Sequence, residues 1–270
     1  MATLADSGIE ARSTGLAQAV DRWIYVFMAG LFLVTVLAGF IPVSLLKIEA
    51  VRLGQRPPFP MILHVHAVLM GCWMLLLMTQ TTLMATGRRG LHQRLGVIAM
   101  VLAPALVIVG FLLVPVVRLQ VADAILNGPP EVAAQLRPRF EHQLNIMMVQ
   151  IRIGVLFAVL TAWGIAVRRR DSGLHKRLMI LGTAAALPPA TDRMFWLPTS
   201  LPESPLTVDL WPLLLIAPMF LWDLYRLRRV HMAYVIALGL GLATTIPMHL
   251  LWGTPGWRGT ALWLLGVSGV

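Results

Sequence analysis

Seven apolar segments, each about 20 residues long, constrain this chain more than any other feature. About 20 apolar residues at roughly 1.5 Å per residue are what a helix needs to cross a bilayer. With 58% hydrophobic and 13% charged residues, the chain has too few polar side chains to cover a soluble domain of this size. The sequence therefore predicts an all-α transmembrane seven-helix bundle in a lipid bilayer. The segments cover about residues 23–46, 61–86, 93–117, 142–167, 177–197, 208–225 and 232–252.

The basic residues predict an orientation for this bundle. Thirteen of them fall on the side of the N-terminus and seven on the opposite side, which predicts a protein of the bacterial inner membrane with its N-terminus inside and its C-terminus outside. Residues 1–22 are expected to be a cytoplasmic tail without a cleaved signal peptide, and residues 253–270 an interfacial segment. The net charge of +10 lies in clusters at segment ends, so it does not indicate nucleic-acid binding.

A repeated string, Gly-Leu-His-x-Arg-Leu, follows an arginine run at 90–95 and again at 173–178. Each copy opens an apolar segment, and a histidine stands near the start of the segment before it. We interpret residues 61–117 and 142–197 as a tandem parallel repeat of a helical hairpin, with its axis along the membrane normal. Such a repeat brings His66 and His142 to one level on the outer side. It also brings His92 and His175 to one level on the inner side.

Helical spacing predicts which faces turn inward. His66, Trp73 and Gln80 recur every seven residues on one stripe of the second segment. An ionisable side chain facing lipid costs about 2.5 kcal/mol or more, so such stripes should face the bundle interior. His64 points about 200° away from His66. A second inward stripe is expected on the fourth segment: Glu141, His142, Asn145 and Arg152.

Two pairs of neutral imidazoles on facing helices are what bis-histidine ligation of haem b requires. The pattern resembles the cytochrome b561 family, through His66-Ala67-Val68-Leu69-Met70 followed by a basic loop and Leu91-His92. The resemblance implies two haems, held between helices 2 and 4 and between helices 3 and 5. That family has six helices and a proline at the position of Ala67. In its short motifs the chain more closely resembles a group of uncharacterised bacterial multi-pass membrane proteins. Those proteins contain His-x-His, Leu-His-Arg-Arg-Leu-Gly and His-Lys-Arg-Leu-Met strings. That resemblance implies no activity.

The haem interpretation predicts an electron-transfer protein working across the membrane or with quinone or another redox partner. A membrane oxidoreductase is the enzyme class it favours. Its haem ligands would be His66 with His142 and His92 with His175, while Arg94 and Arg177 would neutralise haem propionates. As an alternative, Gly-Leu-His-x-Arg-Leu is a cytoplasmic helix start whose His and Arg contact lipid phosphates.

Two other functions fit the same residues. One is a divalent metal bound on the outer side by His64, His66, His142 and Glu141, in a membrane enzyme or a cofactor-assembly factor. The other is a cofactor-free transporter or scaffold whose polar stripes line a solute path. In the outer half of the bilayer, a structural ion pair or a substrate subsite is expected from Arg152, Asp192 and Arg193. Gln80 is a further candidate for the substrate subsite. Pro188-Pro189 is expected to kink or end the fifth segment early.

Overall fold

The computed structural model describes residues 15–268, and the secondary structure there is helical. Within these described residues, eight helices have 11 residues or more, and one further helix is a single turn. The bounds are α1 (Gly15–Arg52), α2 (Met61–Ala85), α3 (Arg89–Asn127), α4 (Pro130–Val167), α5 (Ser172–Ala184), α6 (Pro188–Thr191), α7 (Leu206–Leu227), α8 (Met232–Leu251) and α9 (Pro255–Leu265). The first 14 residues of the predicted cytoplasmic tail lie outside the described part, and residues 15–22 already belong to α1.

Six of the seven predicted segments form helices long and apolar enough to cross a membrane, namely α1, α2, α3, α4, α7 and α8. Large apolar side chains such as Phe27, Leu75 and Val101 are exposed on them, as a lipid-facing surface requires. The chain is therefore a multi-pass membrane protein. The fifth predicted segment does not form a seventh long helix. It ends at Ala184, and a new turn begins at Pro188, so the predicted break at the proline pair is observed.

The outer loop expected over about 118–141 is instead helical. α3 and α4 have 39 and 38 residues and meet at a tight turn around Gly128 and Pro129. At about 1.5 Å per residue α3 is about 58 Å long, roughly twice the hydrocarbon thickness of a bilayer. Arg118, expected in that loop, is instead 3% exposed and donates to the carbonyl oxygens of Gln143 and Val114 at 2.9 and 2.7 Å.

Helices α2 to α5 pack in chain order, each against the next, while α1 lies against α2, α5, α6 and α7. α8 packs on α4 and α5, and α9 packs on α3 and α4. We call the end that holds the 86–88, 168–171 and 228–231 connections the basic end, because it holds the arginine runs, and the opposite end the far end. One apolar core lies around Phe32, Trp73 and Leu178, and a second lies around Phe140, Leu144 and Trp257.

The break after α5 positions α6 against α1. A Cβ atom on Gly39 of α1 would lie 2.7 and 2.9 Å from the carbonyl carbon and Cα of Ala190 in α6. Only glycine allows this approach of two backbones. The hairpin repeat makes α2 equivalent to α4 and α3 equivalent to α5. The lengths within these two pairs differ: 25 against 38 residues, and 39 against 13 residues. The predicted repeat of two hairpins is therefore not confirmed by the lengths of the helices.

Candidate functional site: a histidine pair at the basic end

His92 and His175 face each other across the bundle. Each is the fourth residue of its helix, in α3 and α5 respectively. Their ring centroids are 6.4 Å apart and the ring planes meet at 73°. Both side chains are partly buried. The predicted approach of the inner pair is thus observed, and a symmetric position in two helices brings the two imidazoles together.

The ring of His175 is anchored by the end of α4. Its Nδ1 lies 2.8 Å from the carbonyl oxygen of Gly164. A carbonyl can only accept, so Nδ1 carries the proton and Nε2 keeps its lone pair. Gly164 permits the contact, because a Cβ there would lie 3.1 and 3.2 Å from the Met179 and Leu178 side chains. A histidine held at Nδ1 by a backbone carbonyl is the arrangement typical of metal ligation through Nε2.

The ring of His92 is held differently, by Gln80 of α2. In the orientation that satisfies the amide, its nitrogen donates to the His92 carbonyl oxygen at 3.1 Å and also to His92 Nδ1, while its oxygen accepts from Gly96 N at 2.9 Å. The sequence made Gln80 a candidate for the same subsite as Arg152, Asp192 and Arg193, and the structure places it at the basic end, against His92. Its helical spacing from His66 was correct, but its partner is the inner histidine.

On the inward stripe of α2, Trp73 lies between His66 and Gln80, the residue that contacts His92. It is 1% exposed, donates from Nε1 to Thr183 Oγ1 at 3.1 Å and packs edge-on against Phe157 at 5.0 Å. The expected inward stripe of α2 is observed, since Trp73 is buried and Gln80 contacts α3. The third member, His66, packs beside Gly110 of α3, where a Cβ would lie 3.8 Å from the ring.

The separation of His92 and His175 suits one metal between them. With metal–nitrogen bonds of about 2 Å, two imidazoles on opposite sides of one ion have ring centroids about 6–6.5 Å apart. The observed 6.4 Å falls in this range.

The two arginines that were expected to neutralise haem propionates, Arg94 and Arg177, differ in their burial and in their partners. Arg94 is exposed on α3. Arg177 is 6% exposed, and its Nε and Nη2 donate to the two carboxylate oxygens of Asp223 at 2.7 and 2.5 Å. Tyr234 of α8 donates its hydroxyl to the same carboxylate at 2.5 Å. The prediction for Arg177 is therefore corrected: it holds α5 to α7 and α8, and its guanidinium has no free edge for a propionate.

The outer histidines do not form such a pair. Among residues 15–268 there is no ring contact or hydrogen bond between His66 and His142, and the Nδ1 atom of each is buried without a partner. His64 is exposed and packs edge-on against Phe59, and Glu141 binds Arg258 at 3.0 Å. No three His, Cys, Asp or Glu side chains within the described residues stand close enough to hold one metal ion. The alternative metal site is therefore not assembled.

A second polar network lies at the far end. Arg152 of α4 pairs with Asp209 of α7 at 2.6 Å, and Asp209 also contacts His249 Nε2 at 2.8 Å and Thr245 at 3.2 Å. The sequence interpretation had expected Arg152 to share a cavity with Asp192. The ion-pair partner of Arg152 is instead Asp209.

Asp192 and Arg193 lie apart from this network. Asp192 is exposed and lines a cavity of ≈ 90 Å³ with Thr191, Thr199 and Trp211. Arg193 stacks over Phe40 at 4.6 Å and donates to the Pro189 carbonyl oxygen. The expected subsite of four polar residues is thus divided among three places.

The sequence interpretation missed both carboxylates of α7. Asp209 and Asp223 are 14 residues apart, which is nearly four helical turns and puts them on one face. Each receives an arginine from the α2–α5 bundle and a side chain from α8. The spacing of these two aspartates within an apolar segment could have predicted that each has a basic or polar partner, because acidic residues in such segments nearly always do.

Comparison with protein-family models, with curated proteins and with solved structures finds no match to this chain. Its function is argued below from its own geometry.

Proposed function

We propose that this protein is a b-type haem protein of the bacterial inner membrane that transfers electrons, with His92 and His175 as axial ligands at the basic end. The observation that carries the proposal is the pair itself, two imidazoles from different helices with centroids 6.4 Å apart. The anchoring of His175 Nδ1 to Gly164 supports it, since that contact leaves Nε2 free for a metal.

The residues of the chain have separate tasks in this function. His92 and His175 would bind the iron, and Gly164 orients the ring of His175. The apolar core that contains Trp73, Phe157 and Leu178 would exclude water from the bundle interior. A b-type haem supplies reversible one-electron chemistry when bound. Arg94, exposed on α3 two residues after His92, is the remaining candidate among the two arginines for a propionate.

The positive-inside tendency favours a cytoplasmic position for this centre, because three arginine runs cluster at the same end. A quinone or a protein on the cytoplasmic side would then exchange electrons with it. An outer haem between His66 and His142, and the full hairpin repeat around two haems, belong to the same proposal. In the described part of the chain the rings of His66 and His142 make no contact with each other, and the Nδ1 atom of each has no hydrogen-bond partner.

An optical spectrum of the protein purified from cells supplied with a haem precursor tests this function. Reduction with dithionite should give the α-band of a six-coordinate b-type haem. His92→Ala and His175→Ala should each remove it, and His231→Ala, a histidine elsewhere at the basic end, should keep it. Colourless wild-type protein at full haem supply would refute the proposal, and metal found without haem would favour a non-haem centre.

A further inference from the structure

The two imidazoles of the pair have opposite hydrogen-bonding environments. His175 Nδ1 faces a carbonyl oxygen, so it must be the protonated nitrogen of that ring. His92 Nδ1 faces an amide N–H of Gln80, so it must be the unprotonated nitrogen of its ring. In the neutral, metal-free state the proton of His92 therefore stays on Nε2 and that of His175 on Nδ1.

The orientation of the Gln80 amide is fixed by its other contacts. Its oxygen accepts from Gly96 N, and its nitrogen donates to the carbonyl oxygen of His92. Turning the amide over would place oxygen against a carbonyl and nitrogen against an N–H, so both contacts would be lost. Losing a buried hydrogen bond costs about 1 kcal/mol, and the unpaired groups cost more. The ring of His92 must therefore adapt to Gln80, because the amide is held by the backbone of α3.

We propose that Gln80 is a positioning residue that sets the tautomer of His92 and makes the two imidazoles of the pair chemically unequal. The inequality concerns Nε2, which carries the proton in His92 and keeps its lone pair in His175. For a metal bound through Nε2, which rests on the function proposed above, the proton of His92 would have to move to Nδ1. The contact with the N–H of Gln80 would then be lost, at a cost of about 1 kcal/mol.

The test of this proposal uses the protein without any metal. ¹⁵N NMR of histidine-labelled protein in detergent micelles reports which ring nitrogen is protonated, with signals assigned by His92→Ala and His175→Ala. Wild type should show a proton on Nε2 of His92 and on Nδ1 of His175. Gln80→Glu keeps an acceptor for Gly96 N and offers the ring a carboxylate, so His92 should change to the Nδ1-protonated form. His175 should not change.

Gln150→Leu serves as a matched control, because it removes a partly buried glutamine whose Oε1 has no partner. It should leave both tautomers as in wild type. A proton on Nδ1 of His92 in the wild type, or an unchanged His92 in Gln80→Glu, would overturn the proposal. This result is independent of haem binding, so it is separate from a failure of the proposed function.

Discussion

Removing the carboxylate of Asp223 should destabilise the protein more than any other single charge change in it. Asp223 accepts two hydrogen bonds from Arg177 and one from Tyr234, and all three residues are at most 7% exposed. Asp223→Asn keeps the volume and leaves the Arg177 charge buried without its counter-ion. Breaking a buried pair in this way costs about 3–5 kcal/mol. We expect this loss in the free energy of unfolding, measured by titrating micellar protein with SDS.

The exposed pair Arg226–Asp21 provides the control. It has similar geometry, at 2.7 Å, but its side chains are 35% and 39% exposed. Water and salt screen such a pair, so Asp21→Asn should have little effect. The double variant Arg177→Met with Asp223→Leu should recover much of the loss, because no buried charge then lacks a partner. An Asp223→Asn protein as stable as Asp21→Asn would refute the claim that this buried network holds α5 to α7.

Three further substitutions test other parts of the fold with the same unfolding assay. Gly39→Ala should lose about 1–3 kcal/mol, because its Cβ would overlap the backbone of Ala190, whereas Gly30→Ala, with open space around it, should be neutral or stabilising. Trp73→Phe should lose about 1 kcal/mol or more, since Thr183 loses its hydrogen-bond donor and the ring is smaller. Asp209→Asn should destabilise the protein less than Asp223→Asn, because the Arg152 and Asp209 side chains are 13% and 15% exposed. The packing assignment would be contradicted if Gly39→Ala were as stable as Gly30→Ala. The role of Trp73 would be contradicted if Trp73→Phe were as stable as the wild type. The order of burial would be contradicted if Asp209→Asn lost more stability than Asp223→Asn.

Much of the fold was predictable, because burial in lipid imposes a simple rule on sequence. Six apolar segments became long helices, and the proline pair at 188–189 ended the fifth as expected. The lengths of α3 and α4 were not predictable from hydropathy, which detects where a helix is apolar and not where it ends. Their polar extensions continue as helices because Ile125, Ala133 and Phe140, which lie in those extensions, pack in a second apolar core with Trp257.

At the site, helical spacing correctly predicted that Trp73 and Gln80 face inward, and the repeated string correctly predicted the meeting of His92 and His175. The charge partners were predicted wrongly. Arg152 and Arg177 were assigned to Asp192 and to propionates, whereas they bind Asp209 and Asp223 on α7. Spacing within one helix cannot identify a partner on another helix, since that depends on how the helices are arranged around the bundle.

The electron paramagnetic resonance spectrum of the oxidised, haem-loaded protein tests the central claim most directly, because it reports both the axial ligands and the angle between their planes. His92 and His175 meet at 73°. Two nearly perpendicular imidazoles should give a strongly anisotropic low-spin ferric signal, and that signal should disappear in His92→Ala and His175→Ala. A high-spin signal, or a low-spin signal that survives both substitutions, would contradict the assignment of these two histidines as the ligands of one haem.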